Sequence, residues 1–298
     1  PKLLEYREVF KLKSTYIEPL LNYASHNKNS RIFTSFLQSG TATGRLSSKN
    51  PNLQNIPVRS ELGRKIREGF VSEEGFKLVS LDYSQIELRL LAHFSQDRVM
   101  MDAFFDDKDI HYETAKKIFG EDKAKSKRDV AKSINFGLIY GMGARKLGET
   151  LKIPQKEAKE YIDSYFASFP TIKTFLGRLE DEILQNGYSQ TLLKRRRFFD
   201  FHGVAEYMKG AFLREGVNTL FQGSAADIIK LSMNRIDPLT SSKCQMLLQI
   251  HDELIFEVED SETKHFGEEL KEIMENIYKL NIPLKCELNI GENWGELK

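Results

Sequence analysis

The spacing of apolar and polar residues predicts a chain in which helices and strands are mixed. The pattern is helical over residues 3–25, changes to a strand over Phe76–Tyr83, and returns to a helix over residues 85–94. A long, mostly helical stretch follows, from about residue 99 to 188. The remaining predicted elements are helices near residues 212–218 and 225–236, a β-hairpin over 246–258, a helix over 262–280 and a last strand over 284–290. Strands near both ends with a helical insert between them predict an α+β chain whose one sheet is built from two distant segments.

The length and composition of the chain are those of an ordinary soluble globular protein. Its 298 residues exceed the usual size of one core, so we expect two packed units. Hydrophobic residues make up 40% and charged residues 29%. No apolar run approaches the roughly 20 residues that cross a bilayer, so we expect no membrane partner. The first ten residues are charged, show no signal-peptide pattern and lack an initiator Met, which indicates an internal cut or a processed end.

Net charge and cysteine count add little to the functional prediction. The 44 Lys and Arg against 43 Asp and Glu give a net charge of +1, which does not by itself indicate a nucleic-acid partner. Basic residues cluster at 64–67, 123–132 and 194–197, and residues 257–275 are mostly acidic. Such clusters are usually solvated faces. Cys244 and Cys286 have no metal-type spacing, and we expect structural thiols in a reducing compartment, with a disulfide as the alternative.

The first candidate site lies where the strand Phe76–Tyr83 ends. A buried strand that ends in Asp82 and turns into a helix exposes that carboxylate at the sheet rim, where it could bind a metal ion. Residues 84–87, Ser-Gln-Ile-Glu, have the pattern of a capping box that starts the helix. The alternative is that Asp82 caps a turn and Glu87 only closes the box.

The second candidate site is the pair His251-Asp252, which is flanked by the apolar runs of the predicted hairpin. Hairpin turns normally use Gly, Asn or Pro. A turn without them indicates local strain, which tends to mark functional sites. A metal-dependent phosphohydrolase of the His-Asp type is the competing interpretation, although that class carries the pair on helices.

The third candidate site is a stripe of four residues with helical spacing. Arg128, Lys132, Phe136 and Tyr140 recur every fourth position, so two cations are followed by two aromatic rings on one helix face. Cations suit a polyphosphate, and aromatic rings suit a sugar and a stacked base. The alternative is a solvated basic face beside core aromatics.

Together these three sites resemble motifs A, B and C of the family A DNA polymerases. Motif A is similar to residues 82–89, motif B to residues 128–141 and motif C to residues 251–253. Other segments that resemble the family are residues 41–48, 52–57, 109–111, 218–227 and 291–294. The resemblance extends from about residue 3 to the end of the chain.

The resemblance implies a right-hand polymerase fold, with an antiparallel palm sheet from both chain ends and a mostly helical fingers insertion. It assigns residues 1–98 to the first part of the palm with a remnant of the thumb base, 99–205 to the fingers and 206–298 to the second part of the palm. The implied activity is template-directed addition of dNTPs to a primer 3′ end, in DNA replication or repair. The implied partners are primer-template DNA and dNTPs, and the implied cofactors are two Mg²⁺ ions, for which Mn²⁺ can substitute.

The resemblance also implies roles for individual residues. Asp82 and Asp252 would bind the two metal ions, helped by the Tyr83 carbonyl, and Glu253 would be an auxiliary carboxylate. Lys132 would be catalytic together with the two aspartates. The implied nucleotide-binding residues are Gln85, Glu87, His111, Arg128, Lys132, Phe136 and Tyr140. The residues that match family positions touching primer or template are Arg45, Asn52, Gln54, Asn55, Arg214, Asn218, Gln222 and His251.

The sequence departs from the family pattern in three respects. Asp129 follows Arg128 where many relatives have a second basic residue, and Leu220-Phe221 replaces a Pro or a smaller residue. The chain also lacks nearly all of the helical thumb and any carboxylate cluster that resembles an exonuclease site. We therefore expect a separate N-terminal thumb and exonuclease region, in the same chain or as another one. The location would be cytoplasmic and nucleoid-associated in a bacterium, with an organelle or a virus-infected cell as alternatives.

Two other functions fit parts of the same pattern. A single-subunit RNA polymerase shares the two palm aspartates, but Glu87 and Phe136 favour a site that excludes ribonucleotides. A catalytically silent DNA-binding module would keep the fold, but the intact aspartates and cations favour an enzyme. Primer extension with dNTPs, with NTPs and with no nucleotide distinguishes all three.

Overall fold

A computed structural model of the protein describes residues 2–58 and 60–297. The helices are α1 Lys2–Leu12, α2 Glu18–Ser25, α3 Glu61–Glu68, α4 Ile86–Ser95, α5 Arg98–Phe105, α6 Ile110–Phe119, α7 Glu121–Ile139, α8 Ala144–Leu151, α9 Gln155–Ser168, α10 Pro170–Asn186, α11 Glu206–Ile236 and α12 Thr263–Asn276. The strands are β1 Ser35–Leu37, β2 Ser47–Lys49, β3 Phe76–Tyr83, β4 Tyr188–Gln190, β5 Arg196–Phe198, β6 Cys244–Ile250, β7 Glu253–Glu259 and β8 Cys286–Gly291. The predicted α+β class is confirmed.

The chain forms two compact units. The first contains Pro1–Tyr83, Ser232–Met274 and Cys286–Lys298, and the second contains Ser84–Leu231 and Glu275–Lys285. The first unit is therefore built from distant segments, as the strand pattern predicted. The boundaries between the two units differ from the predicted boundaries between palm and fingers. The division into palm and fingers at residues 98 and 205 stays a prediction.

The first unit is organised around a four-stranded antiparallel sheet with the strand order β6-β7-β3-β8. Its two central strands run through the core, where Leu81 and Leu254 pair in register and are both fully buried. Burying a leucine side chain contributes about 1.5–3 kcal/mol. This packing holds the ends of β3 and β7 at one rim of the sheet.

A second set of buried contacts attaches a loop to this sheet. The core cluster includes Leu53 and Ile56 of that loop, Leu78 of β3, Ile255 of β7 and Trp294. The loop over residues 52–57 is therefore held against the sheet by apolar packing, although it has no regular secondary structure of its own.

The second unit is mostly helical. The pair α6 and α7 packs through the fully buried small residues Ala115, Ala124 and Ala131. In the same unit, α4 packs on α10, where the rings of Phe94 and Phe175 stack with their centroids 6.4 Å apart. None of the helices among the described residues is long and apolar enough to cross a membrane.

The structure corrects three predicted boundaries. The two helices expected near 212–218 and 225–236 are one 31-residue helix, α11. Gly223 and Ser224 do not break it, because tertiary packing overrides their weak helix propensity: Phe221, Ala225 and Ala226 around them are at most 1% exposed. Helix α12 ends at Asn276 instead of residue 280, and the last strand begins at Cys286 instead of residue 284. The segment between them is bonded to α4 instead, since Arg89 donates to the Pro283 carbonyl at 2.7 Å.

The two cysteines are confirmed as free thiols. Both are buried. Burial raises the pKa of the Cys244 thiol to about 11, and the Glu269 carboxylate acts in the same direction. That thiol is therefore protonated at neutral pH and serves as a core residue.

Candidate active site

The end of β3 carries the first predicted carboxylate. Asp82 pairs in register with Glu253 on β7 and with Glu287 on β8. The next residue, Tyr83, fixes the strand end, because its hydroxyl donates to the Met274 carbonyl at 2.7 Å and lies 2.8 Å from Ser232 Oγ. The sequence thus correctly predicted that Asp82 lies at a strand end.

The turn between β6 and β7 carries the second carboxylate. His251 has a φ of 54°, a conformation that usually requires Gly at the first central position of a two-residue turn. The predicted strain is therefore present, and the strand flanks argue against the His-Asp phosphohydrolase. The Tyr83 amide donates to the Asp252 carbonyl at 3.1 Å, which ties the turn to the end of β3.

Both carboxylates open onto one cavity of the first unit, with a volume of about 570 Å³. Its lining also includes Gln54, Asn55 and Glu253. Burial raises the pKa of the Asp252 carboxyl, and the charges of Arg45 and His251 act in the opposite direction. Arg45 Nη2 lies 3.5 Å from Asp252 Oδ1. The cavity is therefore a place where a carboxylate is poorly solvated and where added positive charge would stabilise it.

Arg67 is a buried charge in the cavity wall, although it belongs to the basic cluster 64–67, for which the sequence indicated a solvated face. It is 5% exposed, donates to the Ile56 carbonyl at 2.9 Å and lies over the Trp294 ring, 4.4 Å from its centroid. Burial lowers the pKa of Arg67, and the Glu253 carboxylate acts in the opposite direction. On α3 it shares the buried face with Gly63, four residues earlier, whereas Arg64 and Lys65 of the same cluster are exposed.

The predicted DNA-binding loop is connected through its polar side chains to the turn that carries Asp252. Gln54 is buried, and its amide donates to the Gln249 carbonyl at 3.0 Å. Gln249 in turn donates to the His251 carbonyl at 2.5 Å. Asn52 and Asn55 are exposed, but Asn52 Oδ1 accepts from the Ser48 hydroxyl at 2.9 Å and from the Gln54 backbone amide at 3.1 Å. The loop therefore presents Asn55 at its surface, uses Asn52 to hold its own shape and uses Gln54 to hold the turn.

Gln249 is a second residue that the sequence reasoning missed. It is 3% exposed and lies within the apolar run of β6. Burying an amide is costly unless its hydrogen bonds are made. The position of this polar residue inside the apolar run of β6 was the feature of the sequence that could have indicated a buried, hydrogen-bonded side chain.

In the second unit, helix α7 carries the predicted stripe, and two of its members, Arg128 and Phe136, lie close to His111 of α6. Lys132 is exposed, and Phe136 is half-buried. Arg128 forms a short ion pair with Asp109, which also caps α6 by accepting from the His111 amide at 2.9 Å. The rings of His111 and Phe136 lie 5.7 Å apart. The stripe is therefore accessible, with Arg128 held in place beside His111.

The predicted capping box before α4 is wrong. A capping box at residues 84–87 would need Gln85 in the first turn of the helix, with a right-handed helical conformation. Gln85 instead has a φ of 53°, which is left-handed, and the helix begins after it at Ile86. Within the described part of the chain, no side chain caps this helix. Glu87 is 5% exposed and accepts a short hydrogen bond from the Tyr140 hydroxyl instead.

Helix α11 carries Arg214, Asn218 and Gln222 with a four-residue spacing, so they share one face. Arg214 is exposed, and the other two are half-buried. The stem of Arg214 passes close to Gly141, where an added Cβ would lie 2.6 Å from Arg214 Cγ. Gly141 has a φ of 66°, so both the conformation and the close approach require glycine directly after Tyr140.

The structure therefore brings the predicted residues together in two sets, one in each unit. The first set lines the cavity at the sheet rim and consists of Asp82, Asp252, Glu253, Gln54, Asn55 and His251. The second consists of His111, Arg128 and Phe136 around α7, with Glu87 and Tyr140 joined by a hydrogen bond. The functional role of each residue stays a prediction.

Comparisons with known proteins show the family to which the chain is similar. The family model described as DNA polymerase family A matches residues 1–296. DNA polymerase I of Helicobacter pylori strain J99 is 53% identical over 302 residues, which cover 100% of this chain and 33% of that protein. Thermostable DNA polymerase I of Thermus aquaticus is 46% identical over 298 residues, which cover 98% of this chain and 36% of that protein.

A solved structure gives the same result for the fold. The POL domain of Pol1 from M. smegmatis, in complex with DNA primer-template and dNTP, is 38% identical, with a TM-score of 0.92. The match covers 99% of this chain and 53% of that one. The chain spans about a third of the length of the curated relatives that it matches. Because the family model matches nearly the whole chain, this protein belongs to DNA polymerase family A.

Proposed function

We propose that this chain carries the active site of a template-directed DNA polymerase, which adds dNTPs to a primer 3′ end during replication or repair. One observation carries the proposal: Asp82 and Asp252, from distant parts of the sequence, line the same cavity at the rim of the sheet. Membership of family A supports it, as does the likeness to a domain solved with primer-template and dNTP.

Family A polymerases use divalent metal ions, and we propose two Mg²⁺ ions here, with Mn²⁺ able to substitute. The described residues contain no group of three or more His, Cys, Asp or Glu arranged to hold a metal. Magnesium is commonly bound by one or two carboxylates together with substrate phosphates, so this donor set fits it. Asp82, Asp252 and the Tyr83 carbonyl would hold the ions. When bound, the ions would make the primer 3′-hydroxyl more acidic and neutralise the leaving pyrophosphate.

The surrounding residues of the first unit would position this centre. Glu253 is 2% exposed and lines the same cavity as the two aspartates, and Arg67 would balance its charge. The Gln54–Gln249 contact would hold the turn that carries Asp252. Arg45, Asn52, Asn55 and His251 would then contact primer or template. Most such contacts go to phosphate and sugar oxygens, and so they position the DNA without reading its sequence.

The second unit would bind the incoming nucleotide. Arg128 and Lys132 would hold the triphosphate, because cations form charge-assisted hydrogen bonds with phosphate oxygens. His111 would add a third contact, Phe136 would pack on the sugar and Tyr140 would occupy the templating position. Gln85 and the Glu87 carboxylate would complete the nucleotide site. On α11, Arg214, Asn218 and Gln222 would contact the DNA.

Primer extension by the chain tests the proposed function. A labelled primer-template is incubated with Mg²⁺ and either dNTPs, NTPs or no nucleotide. We expect extension with dNTPs only, and we expect the incorporated base to follow the template. Extension with NTPs alone would favour the RNA polymerase. DNA binding without extension under all conditions would favour the silent DNA-binding module.

The wider context of the chain is also proposed. The chain spans only about a third of its curated relatives, and we propose that a thumb and exonuclease region acts with it, in the same chain or as a separate one. The bacterial relatives support a cytoplasmic location, with association with the nucleoid as the finer proposal.

We expect Glu87→Ala to increase incorporation of ribonucleotides relative to deoxynucleotides by about 10- to 100-fold. The side chain is buried and would occupy the space that a 2′-hydroxyl needs. Single-nucleotide incorporation of a matched dNTP and NTP measures this ratio. Tyr140→Phe is the control, because it removes the hydroxyl bonded to Glu87 and keeps the carboxylate. If both variants changed the ratio equally, the effect would come from the lost hydrogen bond and not from space at the sugar.

A further inference from the structure

His111 belongs to a buried hydrogen-bond network between α6 and α7. The His111 side chain is 2% exposed, and Thr114 and Asn135 are fully buried. Asn135 Nδ2 lies 3.0 Å from His111 Nδ1 and 3.1 Å from Thr114 Oγ1. Thr114 Oγ1 lies 2.8 Å from the Ile110 carbonyl oxygen. Each member of the network therefore has a definite partner.

In the structure the Asn135 amide turns its Nδ2 group, which can only donate, toward both His111 Nδ1 and Thr114 Oγ1. A carbonyl oxygen only accepts, so the Ile110 contact requires the Thr114 hydroxyl as its donor. The other acceptor within reach of this hydroxyl, Asn135 Oδ1, is more distant at 3.2 Å. With its one proton used, Thr114 Oγ1 accepts from the Asn135 amide. The Nδ2 group therefore has one hydrogen for Thr114 and one for His111 Nδ1.

This direction determines the tautomer of the histidine. Because Nδ1 accepts a hydrogen bond, it carries no proton, and the proton of the neutral ring is on Nε2. Among the described residues, no group forms a hydrogen bond with Nε2. The Nε2 proton is therefore available to a ligand.

The charge of the ring is set by its surroundings. Burial lowers the pKa of His111 to about 4. The charged groups that face it act in both directions: Asp109 and Asp129 raise the pKa, and Arg128 and Lys132 lower it. The ring is therefore neutral throughout the physiological range.

We propose that Asn135 is a positioning residue that holds His111 as the neutral Nε2–H tautomer, and that this N–H donates to a triphosphate oxygen of the dNTP. The inference rests on the proposed function, in which His111 binds the nucleotide. Arg128 and Lys132 supply the positive charge, and His111 supplies a directed neutral donor. A neutral donor keeps its contribution constant between pH 6 and pH 8, where an ordinary histidine changes its charge.

The tautomer can be measured without any enzyme activity. Nitrogen-15 NMR of the intact chain, with histidine signals assigned through a His111→Gln variant, reports which ring nitrogen is protonated. We expect His111 to carry its proton on Nε2 and not to titrate between pH 6 and pH 8. A proton on Nδ1, or a titration midpoint in that range, would overturn the proposal. Absence of polymerase activity would leave this result intact and would instead count against the proposed function.

The role of Asn135 in nucleotide binding is tested by substitution. In Asn135→Asp, a carboxylate can only accept, so it draws the proton to Nδ1 and favours the charged ring. The quantity to compare is the KM ratio, which is the KM of the variant for dNTP divided by that of the unmodified chain. We expect this ratio to be at least about threefold lower at pH 6 than at pH 8. Asn135→Ala should raise the KM about three- to tenfold at every pH.

Asn186→Asp makes the same chemical change at an exposed position of α10, and it should leave the KM ratio constant across this pH range. Circular dichroism establishes whether each variant is folded. If Asn135→Asp fails to fold, the tautomer of the unmodified chain and the Asn135→Ala result still decide the question. A folded Asn135→Asp variant with a pH-independent KM ratio would contradict the proposal.

Discussion

Replacing Asp82 or Asp252 by alanine is expected to reduce the rate of nucleotide addition at least about a thousandfold, which corresponds to ~4 kcal/mol of activation barrier. Each carboxylate would supply a metal ligand, and an alanine in its place supplies neither the ligand nor the negative charge. Single-turnover incorporation of one dNTP under saturating Mg²⁺ measures the loss. Activity within about tenfold of the unmodified chain would contradict the assignment of that aspartate.

The same variants should keep their fold and their affinity for DNA. Burial raises the pKa of Asp252, so the folded state disfavours its ionised form at neutral pH. Removing this carboxylate should therefore leave the free energy of unfolding unchanged or increase it, as is common for functional residues. Glu259→Gln is a matched control, since Glu259 lies at the opposite end of β7. We expect its incorporation rate to stay within about twofold of normal.

The second large effect is expected for Lys132→Ala, which should lower kcat/KM for dNTP by about 10²- to 10³-fold. Lys132 is exposed on α7 and would form a charge-assisted contact with the triphosphate that strengthens as the leaving group gains charge. Lys132→Arg keeps the charge and should recover part of the loss. Steady-state kinetics with a single templating base measure all three proteins.

Lys123→Ala is the control for this prediction. Lys123 lies nine residues before Lys132 on the same helix. This separation corresponds to two and a half turns, so the two side chains are on opposite faces of α7. We expect kcat/KM for this variant to stay within about twofold of normal. Equal losses in the Lys132 and Lys123 variants would mean that α7 attracts DNA or nucleotide only through its overall charge.

Much of this fold could be predicted from the sequence, because the strands around the site have clear local patterns. The bounds of β3 follow from its apolar run, and the hairpin was predicted from two such runs around His251-Asp252. Since Asp82 ends a strand and Asp252 lies in the turn of the neighbouring hairpin, both carboxylates could be placed at a sheet rim. The absence of a turn-forming residue also correctly predicted the strained His251.

Contacts between distant residues could not be predicted in this way. Gln54 bonds to Gln249, which lies 195 positions later, and no local pattern connects them. Asn135 shows its role only when α6 and α7 pack and bring His111 within 3.0 Å. The capping box failed for the same reason, because its sequence pattern is local while Glu87 is bonded to Tyr140, 53 positions away.

The central claim, that Asp82 and Asp252 hold the metal ions of a DNA polymerase, is tested most directly by locating those ions. The chain is crystallised with primer-template, a nonhydrolysable dNTP that matches the template, and Mn²⁺, whose anomalous scattering marks its position. We predict two Mn²⁺ ions about 4 Å apart, bound by carboxylate oxygens of Asp82 and Asp252 and by phosphate oxygens of the nucleotide. Ions bound elsewhere, or a bound nucleotide with no ion on either aspartate, would contradict it.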